Sequence, residues 1–241
     1  MSMEMIERIR SNLRRVEAQM ADAAARSGRQ PGDVRLVVVT KTHPVERIRA
    51  AIEAGATILG ENYAEEAVEK IQALGPQPGV AWHMIGHVQS RKAGLVAAHF
   101  AMLHSLDSVK LAGRLDRFAG EAGRVLPVLL EVNLSGEESK YGFPLFRSDQ
   151  EAAFFADVEA VLMCSHLSVR GLMTMPPFAD DPEESRPYFR RLAALRDHLA
   201  ARYPQADWRE LSMGTSVDFA VAVEEGATLV RVGTAILGAR V

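Results

Sequence analysis

Short apolar runs of strand character alternate with amphipathic, helix-like stretches eight times along this chain, and that rhythm restricts the fold more than any other feature. The runs span residues 35–40, 57–61, 81–86, 101–105, 125–133, 169–174, 208–212 and 228–232. Helical stripes lie between them. Val45, Ile48 and Ile52 follow Pro44 and precede Gly55, and Ala64, Ala67, Val68, Ile71 and Leu74 precede Gly75-Pro76. The remaining stripes fall near 90–97, 108–122 and 150–163, at Phe189, Leu192, Leu195 and Leu199, and over 217–225. A longer amphipathic helix, over about 2–27, comes first, with Ile6, Ile9, Leu13, Val16 and Met20 at helical spacing. Eight such units predict an α/β fold in which a parallel (β/α)8 TIM barrel is favoured over an open sheet. The expected organisation is a single domain over 1–241. Its N-terminal helix covers the side on which the chain stops at Val241 without a clear helix after the last strand, and no second domain follows.

Composition enters by exclusion. A net charge of -3, with lysine and arginine scattered among acids, leaves no basic stripe for a phosphate backbone, which argues against nucleic acid as a principal partner. The single cysteine, Cys164, has no internal disulfide partner, suits a reducing compartment, and reads as core within Val-Leu-Met-Cys. No apolar run reaches the roughly 18 residues a membrane span needs, and no leader-like segment opens the chain. The expectation is a soluble cytoplasmic protein with a small-molecule partner and no membrane.

Barrels and open parallel sheets carry their sites where strands end. The segments after the runs contain Lys41 and Thr42; Glu61, Asn62 and Tyr63; Gly86, His87 and Gln89; Ser105 and Asp107; Asn133; Met173, Thr174 and Met175; Ser212, Met213, Gly214 and Thr215; and Gly233 and Thr234. Lys41 closes the valine-rich run Arg35-Leu-Val-Val-Val-Thr, which makes its amine the obvious reactive group; a solvated strand-closing lysine is the bland reading. Gly214 with Ser212 and Thr215, and Gly233 with Thr234, follow the last two runs, where barrels commonly bind phosphate. An ordinary strand-to-helix turn uses the same residues. Arg231 sits inside the apolar run Leu-Val-Arg-Val and needs a partner that offsets its desolvation, either an acid or a ligand acceptor. An amine, an anion cradle and a buried guanidinium together fit a ligand with an aldehyde, a phosphate and a ring acceptor, as in pyridoxal 5′-phosphate.

Other signals carry less. His83 and His87 have the spacing of a helical metal pair but flank a strand end, so no metal site is expected. The polar segment 134–147 reads as a functional loop, and its Lys140 and Tyr141 read equally as loop surface or as a lid.

The blocks Val-Thr-Lys41-Thr-His-Pro, Gly60-Glu-Asn-Tyr, Trp82-His-Met-Ile-Gly-His-Val-Gln-Ser-Arg-Lys92, Glu138-Ser-Lys-Tyr-Gly142, Arg170-Gly-Leu-Met-Thr-Met-Pro176, Leu211-Ser-Met-Gly-Thr-Ser-Val-Asp218 and Val230-Arg-Val-Gly-Thr-Ala-Ile-Leu-Gly238 run through nearly the whole chain. Together they resemble the pyridoxal phosphate homeostasis proteins, which share the fold-type III barrel of the alanine racemase N-terminal domain. His87, Arg91, Glu65, Thr215 and Leu237 depart from that family's usual wording. The resemblance implies pyridoxal 5′-phosphate held as a Schiff base on Lys41, with Ser212, Met213, Gly214, Gly233 and Thr234 around the phosphate, Arg231 near the pyridine nitrogen and Asn62 beside the cofactor. It further implies a monomer that balances B6-vitamer and amino-acid pools without strong turnover. Alanine racemase draws its opposing tyrosine base from a C-terminal β domain, which this chain is expected to lack. The alternative is an amino-acid racemase or related enzyme using Lys41 with Tyr63, Tyr141 or His87 as base; a weaker one is a cofactor-free Schiff-base aldolase.

Overall fold

The computed structural model describes residues 2–239. Its parallel strands are β1 (Arg35–Val39), β2 (Ile58–Glu61), β3 (Ala81–Met84), β4 (Met102–Leu106), β5 (Leu126–Asn133), β6 (Phe143–Pro144), β7 (Leu167–Met173), β8 (Glu210–Ser212) and β9 (Leu229–Val232). They pair in the order β4-β3-β2-β1-β9-β8-β7-β5, and a further β4–β5 pairing closes the ring into an eight-stranded barrel. The two-residue β6 pairs with β5 outside that ring, Val132 opposite Phe143. The helices are α1 (Met3–Arg26), α2 (Val45–Ala54), α3 (Ala64–Leu74), α4 (Ala93–His99), α5 (Val109–Glu121), α6 (Glu151–Leu162), α7 (Arg186–Arg202), α8 (Phe219–Glu224) and α9 (Thr234–Leu237).

Strand alternation sorts the side chains into two cores. Val38, Leu130, Leu172, Val230 and Val232 face the helices and join the large apolar core that also buries Ile9, Ile48, Leu111, Phe154 and Phe189. Val37, Met102, Leu129, Met173 and Leu229 form a separate cluster. Two residues further along their strands, Met102, Leu129 and Leu229 give way to His104, Glu131 and Arg231, so a polar layer lies above an apolar plug. Gly171 lies opposite Glu210 where β7 packs close against β8. Its φ is +145°, and a Cβ there would sit 1.9 Å from the Glu210 carbonyl oxygen, so only glycine permits the pairing.

Four local expectations are corrected. The last strand is followed by a helical turn, α9, whose carbonyls at Ala235 and Ile236 accept from Arg15 (2.9 Å) and Asn12 (3.0 Å) of α1. The N-terminal helix thus covers this side of the barrel as expected, packing on α2, α8 and α9. The run at 208–212 yields a strand only from Glu210, because Trp208 turns inward and its indole N–H donates to the Tyr203 carbonyl. The loop after β5 contains β6. Cys164 lies half-buried in the turn after α6, where burial still raises its thiol pKa. No helix among the described residues is long and apolar enough to cross a membrane.

Candidate functional site

The mouth at the C-terminal ends of the strands opens into a cavity of about 760 Å³. Lys41, Asn62, Arg231, Gly233 and Thr234 line it, joined by Thr215 and Ser216. Ser212, Met213 and Gly214 do not; all three are buried behind the wall. Gly214 has φ +89°, and a Cβ there would come within 2.6 Å of the Ala222 methyl and 2.9 Å of the Phe219 Cα. Packing against α8 accounts for that glycine without a ligand.

Lys41 is held by its backbone. It occupies a turn between Thr40 and Thr42, and Thr42 is the one non-glycine residue with positive φ, +63°, among the described residues. The ammonium of Lys70, reaching in from α3, donates to the Thr40 carbonyl (2.9 Å) and to Glu61 (2.7 Å) and pairs with Glu66 at 2.5 Å. Glu66 in turn accepts from the Thr42 amide (2.7 Å), and the Thr40 hydroxyl donates to Glu61 (2.7 Å). Both peptide groups flanking Lys41 are therefore tied to one buried ion cluster, which sustains an uncommon backbone conformation.

Arg231 is 4% exposed and forms no ion pair among the described residues. Its guanidinium donates to the Ser212 hydroxyl (2.5 Å), the Thr174 carbonyl (3.1 Å) and the Met175 sulfur (2.9 Å). Burial lowers its pKa to about 10, while Asp218 and Glu131 act the other way. A guanidinium only donates, so Ser212 Oγ accepts from Arg231, and the same hydroxyl hydrogen-bonds His104 Nδ1 at 2.8 Å. His104 Nε2 in turn shares a hydrogen bond with His83 Nδ1 at 2.9 Å. Burial keeps both imidazoles neutral, His83 lowered to about 4 and His104 well below its ordinary value. The strand residue Ser212 thus aims Arg231 from beneath. His83 pairs with His104 and not with His87, and the described residues contain no cluster suited to a metal ion.

The rim comes from two loops. The Asn133 side chain accepts from the Gly136 amide (2.9 Å) and donates to the Glu137 carbonyl (3.1 Å), shaping the loop that puts Ser139, Lys140 and Tyr141 on the cavity wall. Tyr141 stacks on the His87 ring, centroids 3.6 Å apart and planes 8° apart, and His87 Nδ1 meets Asp107 at 2.7 Å. Lys140 and Tyr141 thus belong to the cavity wall.

Glu131 was missed by sequence reasoning. It lines the cavity at 8% exposure, and burial, then repulsion from Asp107, raises its carboxyl to about 7. Its signal was available: a charge inside Leu-Leu-Glu-Val, the same anomaly that singled out Arg231.

A closed parallel barrel with a lysine at the end of β1 and a buried arginine on the adjacent β9 defines a ligand-holding barrel of the alanine racemase N-terminal type. Residues 7–241 match the family described as alanine racemase, N-terminal domain. The chain is 41% identical over 235 residues to the pyridoxal phosphate homeostasis protein of Vibrio alginolyticus, covering 96% of this chain and 97% of that one. It is 40% identical over 237 residues to the protein of that name from Escherichia coli strain K12, covering 96% and 97%. The structure of PipY from Synechococcus elongatus PCC7942 with PLP bound superposes with a TM-score of 0.78 at 35% identity, covering 91% of this chain and all of that one. The chain belongs to the pyridoxal phosphate homeostasis protein family.

Proposed function

We propose that this protein holds pyridoxal 5′-phosphate in the barrel mouth as a Schiff base on Lys41 and acts in intracellular B6-vitamer and amino-acid homeostasis without strong turnover. The observation that carries the reading is the convergence of Lys41, Arg231 and the Gly233–Thr234 turn, from adjoining strands, on one cavity. The residues fit the group. Lys41 supplies the amine, and the buried Arg231 has N–H groups beyond its three protein bonds for a ring nitrogen. α9 begins at Gly233 without a side-chain cap, and Ser216 stands beside it as a hydroxyl donor for a phosphate, while the Thr215 hydroxyl on the same wall donates to Asp218 (3.0 Å). When bound, the cofactor supplies an aldehyde that condenses reversibly with amines. A fixed arginine is a poor proton donor to the ring, so the ring accepts carbanion charge less well than one facing an acid, an arrangement that alanine racemase resembles. The PLP bound to PipY and the names of the curated relatives support the same reading.

The test is the visible absorbance of the purified chain after incubation with pyridoxal 5′-phosphate, with an amino-acid panel assayed for steady-state turnover. Lys41→Ala is expected to abolish the absorbance and to raise the cofactor Kd by at least about a hundredfold. Sustained turnover by the loaded chain that vanishes in Lys41→Ala would overturn the homeostasis reading in favour of a racemase-like enzyme.

A further inference from the structure

We propose that Glu131 is the seat of a second ligand's ammonium group, so that the cavity admits a small primary amine or amino acid beside the cofactor. This rests on the function proposed above and deepens it. Glu131 is buried to more than nine-tenths, lines the cavity, and has neither a hydrogen bond nor an ion pair among the described residues. A carboxylate so little exposed is costly to hold charged without a partner, and its oxygens, unlike Glu61 Oε2, open onto the cavity.

The charged groups that act on it most strongly make their hydrogen bonds to other groups. On β9, Arg231 attracts Glu131 through space while its guanidinium donates to Ser212, Thr174 and Met175. In the loop after β5, Lys140 attracts it too, yet its ammonium donates to the Pro176 carbonyl at 3.4 Å. After β4, Asp107 repels it and is held by His87 and Ser108. On the neighbouring β7, Met173 lies in register with Glu131 and offers no charge.

Position in the barrel decides which part of a ligand Glu131 meets. Going round the ring, β5 is four strands from β1 in either direction, so Glu131 faces the strand that ends in Lys41 from across the mouth. The groups assigned to aldehyde, phosphate and ring nitrogen all come from β1 and from the segments around β8 and β9. The carboxylate on the far wall is left for a donor that the cofactor does not supply, and an ammonium is the donor that matches its charge. A cavity of about 760 Å³ lies toward the upper end of ordinary small-molecule sites and leaves room for both.

The test follows the Glu131 carboxyl carbon by NMR in the full chain, without and with pyridoxal 5′-phosphate, during additions of ethylamine, L-alanine or propionate. Ethylamine and L-alanine are expected to lower the Glu131 midpoint from about 7 saturably, since a nearby cation favours the carboxylate, and propionate is expected not to. A response to L-alanine alone assigns the site to amino acids; a response to both assigns it to the ammonium group itself. Glu131→Gln is expected to raise the amine Kd at least about tenfold and to change the cofactor Kd by less than about threefold. Glu131→Asp, which keeps the charge, is expected to retain amine binding in part. No midpoint response to either amine, or a Glu131→Gln chain that loses cofactor affinity as much as amine affinity, overturns the proposal. Failure of the cofactor to attach to Lys41 would instead sink the proposed function, and the amine titration of the cofactor-free chain reads out separately.

Discussion

Replacing Lys70 by alanine is expected to lower the folding free energy by about 3–5 kcal/mol, the usual cost of removing one partner from a buried ion pair. The Lys70 side chain is 7% exposed and that of Glu61 is 0%, so the carboxylate left behind has no route to water. One Glu61 oxygen, Oε2, already lacks a hydrogen-bond partner among the described residues. Burial raises the Glu61 pKa, and Lys70 is the main opposing influence. Without the ammonium the pKa rises further, and the sign of the resulting pH dependence follows. A carboxyl whose folded pKa exceeds its unfolded value favours folding most at low pH and loses that contribution as pH rises through the folded value. The Lys70→Ala defect should therefore shrink in acid. Urea denaturation at several pH values measures it, and the double variant Lys70→Met with Glu61→Gln should recover much of the loss because neither charge is then buried alone. The cofactor Kd should rise in Lys70→Ala as well, since the Thr40 carbonyl beside Lys41 loses its donor. A stability loss below about 1 kcal/mol, the scale of an exposed pair, would show that the cluster does not set the turn.

Glu131→Gln is expected to act in the opposite direction, making the cofactor-free chain more stable above neutral pH. The carboxyl is raised from 4.5 to about 7, chiefly by burial. At 1.36 kcal/mol per pKa unit, holding it ionised costs the folded state about 3 kcal/mol above pH 7. The sign is that of a raised carboxyl: stability is fully present below the unfolded pKa and declines as pH rises from about 4.5 to about 7. Thermal melts of wild type and Glu131→Gln at pH 4 and pH 8 measure this. The two should nearly coincide at the lower pH and separate at the higher, with the variant melting later. Equal separation at both values would mean that packing, not ionisation, governs the position. A residue that weakens the empty fold at working pH is the kind of local cost expected at a binding site.

The architecture was legible because alternation of strand and helix is a repeated signal, and one misread boundary does not break it. Lys41 and Arg231 were legible for different reasons, one from its place at a strand end and the other as a charge inside an apolar run. Ser212 was read as one of the residues around a phosphate, because sequence alone does not distinguish a hydroxyl facing a ligand from one aiming an arginine. That depends on His104, 108 residues away in the chain. The tie between Lys70 and the Lys41 turn was illegible for a similar reason. Lys70 lies on a helix stripe of mixed polarity, and only the packing of α3 against the β1 end shows that its ammonium points inward. The one-turn helix α9 is too short to leave a periodicity.

Borohydride reduction of the chain loaded with pyridoxal 5′-phosphate, followed by peptide mapping, tests the central claim most directly. The account predicts a single reduced pyridoxyl group on Lys41, and loss of labelling in Lys41→Ala. Labelling on Lys92 or Lys140 at the rim with Lys41 unmodified, or a loaded chain that borohydride leaves unlabelled, would contradict it.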